Sequence, residues 1–271
     1  MTLISSSLAP DEVRARSVHV QQWRVLVTAP MDGAANMALD EALMARAGDT
    51  GEAVLRIYGW SRPTLSLGRN QTAKGRYDLP RALACGIDIV RRPTGGRAVL
   101  HDHEVTYSVT APAGPLGSLH ESYATINRLL IMGLQALGVA AREADARGVA
   151  PRPGVAPCFT VPVRGEIVVG ARKLVGSAQI RENGTLLQHG SILIDDDQAM
   201  ASTLLLEPTT APPPTATLRA LLGRAPSLEE VADALSAALP SARRLTIDPA
   251  LDSAAQSASE RYRSAEWTWR L

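Results

Sequence analysis

The sequence predicts an α+β (mixed α/β) fold, in which helices flank a mixed β-sheet and a small helical appendage follows at the C-terminus. Short runs rich in β-branched and other apolar residues alternate with stretches whose apolar residues recur at helical spacing. The 271 residues, 45% of them hydrophobic, are enough to bury a sizeable core. Strand and helix patterns that alternate in this way indicate a sheet covered by helices.

The N-terminal half contains most of the predicted strands. Residues 1–20 are polar and lack an apolar period, so we expect a flexible arm. A helix is predicted over residues 36–48 and ends at Gly48. The predicted strands cover residues 22–29, 53–60, 65–67, 85–92 and 98–111. A Pro-Thr-Gly-Gly turn joins the last two strands.

Two capping-box patterns predict further helices. Ser118 with Glu121 begins a long helix that ends at Gly138. Ser227 with Glu230 begins a second one. In each pair the hydroxyl and the carboxylate can satisfy backbone N–H groups at the start of a helix, so the pattern marks where the helix begins.

Between these two helices the sequence predicts an antiparallel meander. Its strands cover residues 166–169, 173–180 and 185–195. The Asn183-Gly184 dipeptide is a hairpin signal, because both residues tolerate a positive φ.

The predicted organisation is one main domain with a C-terminal segment packed on it. The main domain covers residues 21–207. The Pro-rich stretch 208–217 is expected to be a stiff connector, and residues 218–271 to form the helical segment.

Composition limits the possible partners and the compartment. The net charge is only +1 and aromatic residues make up 4% of the chain, so no nucleic-acid partner is expected. No stretch approaches the roughly 18 consecutive apolar residues of a membrane span, so no membrane partner is expected either. The N-terminus lacks a secretory signal, which favours a cytoplasmic protein. Two cysteines do not make a disulfide framework.

Arginines surround the Pro-Thr-Gly-Gly turn. Gly95 and Gly96 allow a backbone to approach a ligand closely. Arg91, Arg92 and Arg97 could hold an anion there. The alternative is a plain hairpin turn with solvated arginines.

The sequence predicts neither a metal site nor a cofactor. His101 and His103 are expected to share one face of a strand, but no third ligand is evident. No phosphate-binding glycine motif is present.

Cys158 and Lys173 are candidates for acyl-transfer chemistry. Cys158 stands in a Pro-flanked loop like an accessible nucleophile, whereas Cys85, just before a strand, is expected to be a small core residue. Lys173 is one of only two lysines. An ammonium near a thiol lowers the thiol pKa, so the pair could supply a nucleophile and a proton shuttle. The alternatives are a structural cysteine and an exposed charge at a strand end.

A polar pair interrupts the last apolar strand of the meander. Gln188 and His189 precede Gly190 where core residues would be expected. His189 is therefore either a satisfied core histidine or part of the wall of a site.

These patterns, in this order, resemble the biotin/lipoate protein ligase superfamily, and within it the octanoyltransferases of the LipM type. The matching segments are NMALDEAL, LRIYGWSRPTLSLGRNQ, RRPTGGRAVLHDHEVTYSV, CF followed by Pro162 and Glu166, GARKLVGSAQ and LLQHGSIL. EWTWR near the C-terminus is also similar to the ending of the family. The resemblance spans most of the chain, from about residue 36 to 270.

The resemblance implies an octanoyl-[acyl carrier protein]:protein N-octanoyltransferase that needs no cofactor. Its donor would be octanoyl-acyl carrier protein, and its acceptor a lysine of a lipoyl-domain protein, such as the glycine cleavage H protein or a dehydrogenase E2. Cys158 would carry the acyl group as a thioester, and Lys173 would position the carbonyl or shuttle the proton. The acyl pocket would be lined on one side by Arg91, Arg92, Thr94, Gly95, Gly96 and His101. Its opposite wall would comprise Gly176, Ser177, Gln179, His189 and Gly190.

Three alternatives stay open. An ATP-dependent lipoate or octanoate ligase shares several of these segments, but it usually has an Asn-Asp pair where this chain has CF. An amidotransferase would move octanoate between two lipoyl-domain proteins and would differ in its acyl donor. A non-catalytic acyl- or lipoyl-domain-binding protein would not need both Cys158 and Lys173.

Overall fold

The computed structural model describes residues 22–144, 165–207 and 213–271. The arm predicted at residues 1–20 and the nucleophile candidate Cys158 lie outside these ranges.

Within the described ranges, the strands form a large mixed sheet and a small sheet. In chain order the strands are β1 Gln22–Val27, β2 Glu52–Tyr58, β3 Thr64–Leu67, β4 Asp88–Arg91, β5 Val99–His101, β6 Glu104–Pro112, β7 Arg142–Glu143, β8 Ile167–Val169, β9 Arg172–Glu182, β10 Thr185–Leu193 and β11 Arg243–Arg244. The large sheet has the order β11-β1-β2-β6-β10-β9-β8-β7, and the small sheet has the order β4-β3-β5.

Helices lie around both sheets, which confirms the predicted fold class. They are α1 Gly33–Thr50, α2 Leu79–Ala84, α3 Leu119–Ala136, α4 Ala199–Thr203, α5 Leu218–Leu222, α6 Leu228–Ala237, α7 Pro249–Arg263 and α8 Ala265–Thr268, with a short 3₁₀ turn at Gly114–Leu116. In the described part of the chain, no helix combines the length and the apolar character that crossing a membrane requires.

One face of the large sheet carries the main hydrophobic core. Leu55, Val109 and Leu186 belong to it, on three neighbouring strands. Leu130 of α3 and Leu235 of α6 belong to the same core and cover this face of the sheet. Alternate residues of a strand point to opposite faces, so this packing dictates which side chains face the other way.

The opposite face of the same strands is polar and is covered by α1. The strand register aligns Arg56 with Ser108 and Ser108 with His189, so these three side chains share the face. Thr106 and Ser191 are paired in the next row on that face. Because buried polar groups need hydrogen-bond partners, this face is where a network is expected.

The stretch predicted as one strand over residues 98–111 is divided between the two sheets. His101 of β5 pairs with Thr64 in the small sheet, whereas Glu104 of β6 pairs with Leu193 in the large sheet. The chain changes direction between them, so His101 is buried while His103 is exposed. The prediction that the two histidines share a strand face is therefore wrong.

Helix α1 is longer than predicted. It continues through Gly48 to Thr50 and ends at Gly51, whose φ of 72° provides the left-handed cap. Gly48 was wrongly predicted as the end, because a glycine within a helix and a glycine after it look alike in sequence. The short helix α2 was not predicted.

The first capping box is confirmed and the second is only half formed. Ser118 and Glu121 exchange both expected hydrogen bonds at the start of α3. Ser227 accepts from the Glu230 backbone at the start of α6, but the Glu230 carboxylate pairs with Arg224 instead. A basic side chain near the helix start thus competes for the capping carboxylate.

The predicted meander is confirmed as β8, β9 and β10, which are antiparallel. Asn183 and Gly184 form its tight turn with φ values of 51° and 76°. These positive values are those that a two-residue hairpin loop requires.

The C-terminal residues contribute to the same body as the sheets. Val231 of α6 lies in the main core, and Leu251 of α7 packs with Leu39 and Leu43 of α1. The segment is not purely helical, because β11 pairs in parallel with β1. The domain boundary at the Pro-rich stretch 208–217 remains a prediction.

Candidate active site

A cavity lies between the small sheet and the polar face of the large sheet. The small sheet and the glycine-rich turn contribute Ser66, Arg92, Gly96, Val99 and His101. The large sheet contributes Tyr58, Thr106, Gly176, Ala178, His189 and Ser191. Met37 of α1 and Trp60 are also in the lining.

His101 is fixed in the cavity wall by three contacts. Its Nδ1 lies 2.8 Å from Glu104 Oε1, and its Nε2 lies 2.7 Å from Ser66 Oγ. Its ring stacks on Trp60 with 4.1 Å between ring centroids. Trp60 donates to Thr106 Oγ1, which in turn donates to Glu104. A carboxylate can only accept here, so the Nδ1 that faces Glu104 carries a proton.

His189 is bound between a helix and the turn. Its Nδ1 lies 3.3 Å from Asp40 Oδ2, and its Nε2 lies 2.6 Å from Thr94 Oγ1. Burial lowers the pKa of His189, although the nearby Asp40 opposes this shift. The imidazole is therefore neutral at pH 7.

Asp40 anchors the buried network, and the sequence reasoning missed it. Its Oδ1 lies 2.8 Å from Arg56 Nη1, and both side chains are completely buried. Ser108 and Tyr58 also donate to it, at 2.7 and 2.9 Å. Burial alone would raise its pKa, but Arg56 and the hydrogen bonds outweigh burial and lower it. Asp40 is three residues after Met37, so its place on the apolar side of α1 was a signal in the sequence.

Arg91 and Arg92 support the turn from within. Arg91 donates to the carbonyl oxygens of Thr268 and Gly68 at 2.9 and 2.6 Å, and it does not line the cavity. Arg92 donates to the carbonyl oxygens of Ser66 and Gly95, each at 2.8 Å. Of the three arginines predicted to hold a ligand anion, Arg91 and Arg92 are instead buried and bonded to backbone carbonyls, and Arg97 is half-buried.

The glycines of the turn have different positions. Gly96 lies at the exposed rim of the cavity with a φ of 95°. A Cβ on Gly68 would overlap the Gly96 carbonyl, so the two backbones are in direct contact. Gly95 contributes its carbonyl to Arg92 and does not line the cavity. Thr94 is buried and does not line the cavity.

The predicted opposite wall is present except for Gln179. Gly176, Ser177, His189 and Gly190 line the cavity. Gln179 instead donates to Ser122 Oγ of α3 at 3.1 Å, on the core side of the sheet.

Lys173 is buried and paired. Its Nζ lies 2.6 Å from Glu166 Oε1, so it is not the exposed strand-end charge of the alternative interpretation. Glu166 was not predicted as its partner, although it precedes β8 next to β9. Cys85 is exposed at the end of α2, so its prediction as a core residue is wrong.

The exposed His103 belongs to a cluster with Asp102 and the half-buried Asp197. Their candidate ligand atoms lie within 4.8 Å of one another, an arrangement that exposed acidic groups often adopt without a metal. That the protein has no metal site remains a prediction.

Comparison with known proteins identifies the family of the chain. Residues 32–240 match the family model described as lipoyl protein ligase A/B catalytic domain. The chain belongs to this lipoyl protein ligase A/B family.

Members of the family are similar to this chain over most of its length. Octanoyltransferase LipM of Kyrpidia tusciae is 40% identical over 274 residues, which cover 93% of this chain and 100% of the relative. A Thermoplasma structure, of a T. acidophilum protein assigned as a lipoate protein ligase with bound lipoic acid, has a TM-score of 0.75 at 26% identity and covers 92% of this chain and 99% of that chain. A lipoate-protein ligase A bound with ATP has a TM-score of 0.76 at 26% identity, covering 92% of this chain and 98% of that chain.

Proposed function

We propose that this family member is an octanoyltransferase that moves octanoate from octanoyl-acyl carrier protein to a lysine of a lipoyl-domain protein. The long match to octanoyltransferase LipM supports this reaction. The acceptor would be a lipoyl domain such as that of the glycine cleavage H protein or a dehydrogenase E2. The reaction would take place in the cytoplasm, where donor and acceptor meet.

The observation that carries the proposal is the chemistry of the cavity lining. Arg92 donates to the backbone carbonyls of Ser66, Gly95 and Arg97 and to the Ser66 hydroxyl. Both nitrogens of His101 and of His189 have partners. Such a cavity suits an uncharged acyl chain better than a carboxylate or a phosphate, since a buried anion needs cations or donors directed at it.

The proposed reaction has two steps. In the first, the thiolate of Cys158 attacks the thioester carbonyl of the donor, the bond to the carrier sulfur breaks, and the carrier thiolate takes up a proton. In the second, the acceptor lysine amine attacks the new thioester, an amide forms, and the Cys158 thiolate leaves. The amine loses one proton overall, which Lys173 would help to transfer to a sulfur.

Lys173 and the cavity walls have separate roles in this proposal. Lys173, held by Glu166, would orient the carbonyl or move the proton. The walls that carry His101 and His189 would hold the acyl chain. Cys158 would be the only residue bonded to it.

A second candidate is an ATP-dependent lipoate or octanoate ligase. The similarity to the ATP-bound lipoate-protein ligase A favours it. Such an enzyme would join a free acid to AMP with release of pyrophosphate, and then transfer the acyl group to lysine. Transfer between two lipoyl-domain proteins differs only in the donor.

Intact-protein mass spectrometry separates these functions. The protein is incubated with octanoyl-acyl carrier protein and without ATP. We expect it to gain one octanoyl group that hydroxylamine removes, and we expect no gain in Cys158→Ala. Cys85→Ala is the matched control and should gain the group like the wild type, because that cysteine is exposed elsewhere.

The ligase would give the opposite pattern. The wild type would gain nothing from the carrier, and an octanoyl adenylate would form from octanoate, ATP and Mg²⁺ even in Cys158→Ala. An octanoylated lipoyl domain offered as donor tests the amidotransferase.

A further inference from the structure

Thr94 connects the glycine-rich turn to the polar face of the large sheet. Its hydroxyl oxygen lies 2.6 Å from Nε2 of His189, and both residues are buried. Its carbonyl oxygen accepts from the Arg69 backbone N–H at 2.7 Å. Thr94 is therefore held at its side chain by the sheet and at its backbone by the neighbouring loop.

Asp40 determines the direction of the Thr94–His189 hydrogen bond. The carboxylate of Asp40 is paired with Arg56 and accepts from Nδ1–H of His189. A neutral imidazole with its proton on Nδ1 can only accept at Nε2. The Thr94 hydroxyl is consequently the donor, and His189 has no nitrogen left for a substrate.

The turn that Thr94 holds also forms one side of the cavity mouth. Arg92 and Gly96, on either side of Thr94 in the chain, line the cavity. His189 and Gly176 line it from the facing sheet. The Thr94–His189 bond is thus a direct link between the two sides.

We propose that Thr94 is a positioning residue: through His189, its hydroxyl sets the separation of the glycine-rich turn from the large sheet and so the width of the acyl cavity. The inference rests on the proposed function in taking the cavity as the acyl site, but the ligand-binding comparison below does not need the transfer reaction. The inference changes the role that the sequence implied, because Thr94 and His189 act on the shape of the cavity and not by bonding the substrate.

Two substitutions separate the effect of the Thr94 hydroxyl from the effect of the side-chain volume. Thr94→Val keeps the branched shape but leaves Nε2 of His189 buried without a donor, which is costly. Thr94→Ser keeps the donor and loses one methyl group. We expect Thr94→Val to reduce kcat/KM with the octanoyl donor roughly tenfold, mostly through KM, and Thr94→Ser to stay within about twofold of the wild type.

A chain-length comparison distinguishes positioning from a loss of stability. A wider cavity discriminates less between acyl chains, so Thr94→Val should lower the preference for octanoyl over dodecanoyl donors. Calorimetric binding of the uncharged methyl esters of octanoic and dodecanoic acids gives the same comparison without turnover. This binding readout remains usable if the protein proves not to be a transferase.

Three results would overturn the inference. Thr94→Val could keep both the wild-type kcat/KM and the wild-type chain preference. Thr94→Ser could lose as much as Thr94→Val, which would mean that the hydroxyl is not what matters. If Thr94→Val does not fold, the ¹⁵N chemical shifts of His189 in the wild type show which ring nitrogen carries the proton, and this tests the inference. A neutral ring protonated at Nδ1 supports the inference, and a ring protonated at Nε2 refutes it.

Discussion

The ammonium of Lys173 lies 2.6 Å from the carboxylate of Glu166, and both side chains are almost completely buried. The two residues come from the meander, where β8 and β9 are neighbours. Moving the ammonium away from Glu166 would leave two buried charges without partners, which is strongly unfavourable. The ion pair therefore holds the ammonium in position.

Substitution of Lys173 by arginine should abolish transfer. Arginine keeps the positive charge, but it does not release a proton and its planar group does not fit a lysine-shaped position. We expect Lys173→Arg to lower kcat at least about a hundredfold, the lower range for a lost acid–base group. Mass spectrometry of the octanoylated acceptor measures it. Lys74→Arg, at an exposed lysine, is the control, and efficient turnover by Lys173→Arg would exclude a proton-shuttle role.

The ion pair between Asp40 and Arg56 should dominate local stability. Asp40→Asn leaves a completely buried guanidinium without its counter-charge. We expect the free energy of unfolding to fall by about 3–5 kcal/mol. Urea denaturation measures this change. The exposed Glu230 also pairs with an arginine, and Glu230→Gln should hardly alter stability. Equal effects of the two variants would contradict this expectation.

Stability should decrease as the pH falls below about 6.5. The folded-state pKa of His189 is below its ordinary value of 6.5, chiefly because of burial, so the unfolded state binds this proton first. The contribution of His189 is complete above pH 6.5 and is lost on acidification. Asp40, whose pKa is also lowered, adds a loss below its ordinary value of 3.8.

Urea midpoints measured across this pH range test the assignment to His189. His189→Asn should flatten the slope below pH 6.5. His120→Asn, at an exposed histidine on α3, should leave it unchanged. A wild-type slope in His189→Asn would assign the acid sensitivity to another group.

Two glycines of the predicted site should respond differently to alanine. A Cβ on Gly190 would overlap the Gly176 carbonyl and lie 2.9 Å from Cε1 of Tyr107, so β9 and β10 would have to separate. A Cβ on Gly95 meets nothing within 4 Å. We expect Gly190→Ala to lower the melting temperature and the affinity for methyl octanoate, and Gly95→Ala to change neither. Thermal unfolding and calorimetry check both, and a stable, fully binding Gly190→Ala would be the contrary result.

Features with a local physical cause were predictable from the sequence. The capping box of Ser118 and Glu121 and the tight turn at Asn183-Gly184 need only residues close in the chain. The strand pattern around His189 likewise placed a polar residue in an apolar strand. Local rules thus predicted the sheet and its flanking helices, whereas the residues of the cavity wall were implied by the family resemblance.

Features that depend on distant partners were not predictable. Arg91 and Arg92 look like anion ligands until the carbonyls they bind are known, and one of these belongs to Thr268. The change of sheet between His101 and Glu104 follows from pairing with other strands. The Gln179 side chain likewise bonds to Ser122 of α3, which is 57 residues away in the chain.

The commitment of both cavity histidines to neighbouring side chains affects which molecules could compete for the site. A ligand with a hydroxyl or carboxylate at the buried end of its chain would lose the water bound to that group. The ring nitrogens of His101 and His189 could not replace this water, because they are already hydrogen-bonded. A plain alkyl chain loses nothing in the same place. Selective inhibitors of this protein would therefore place a plain alkyl chain inside the cavity and any polar group at its mouth.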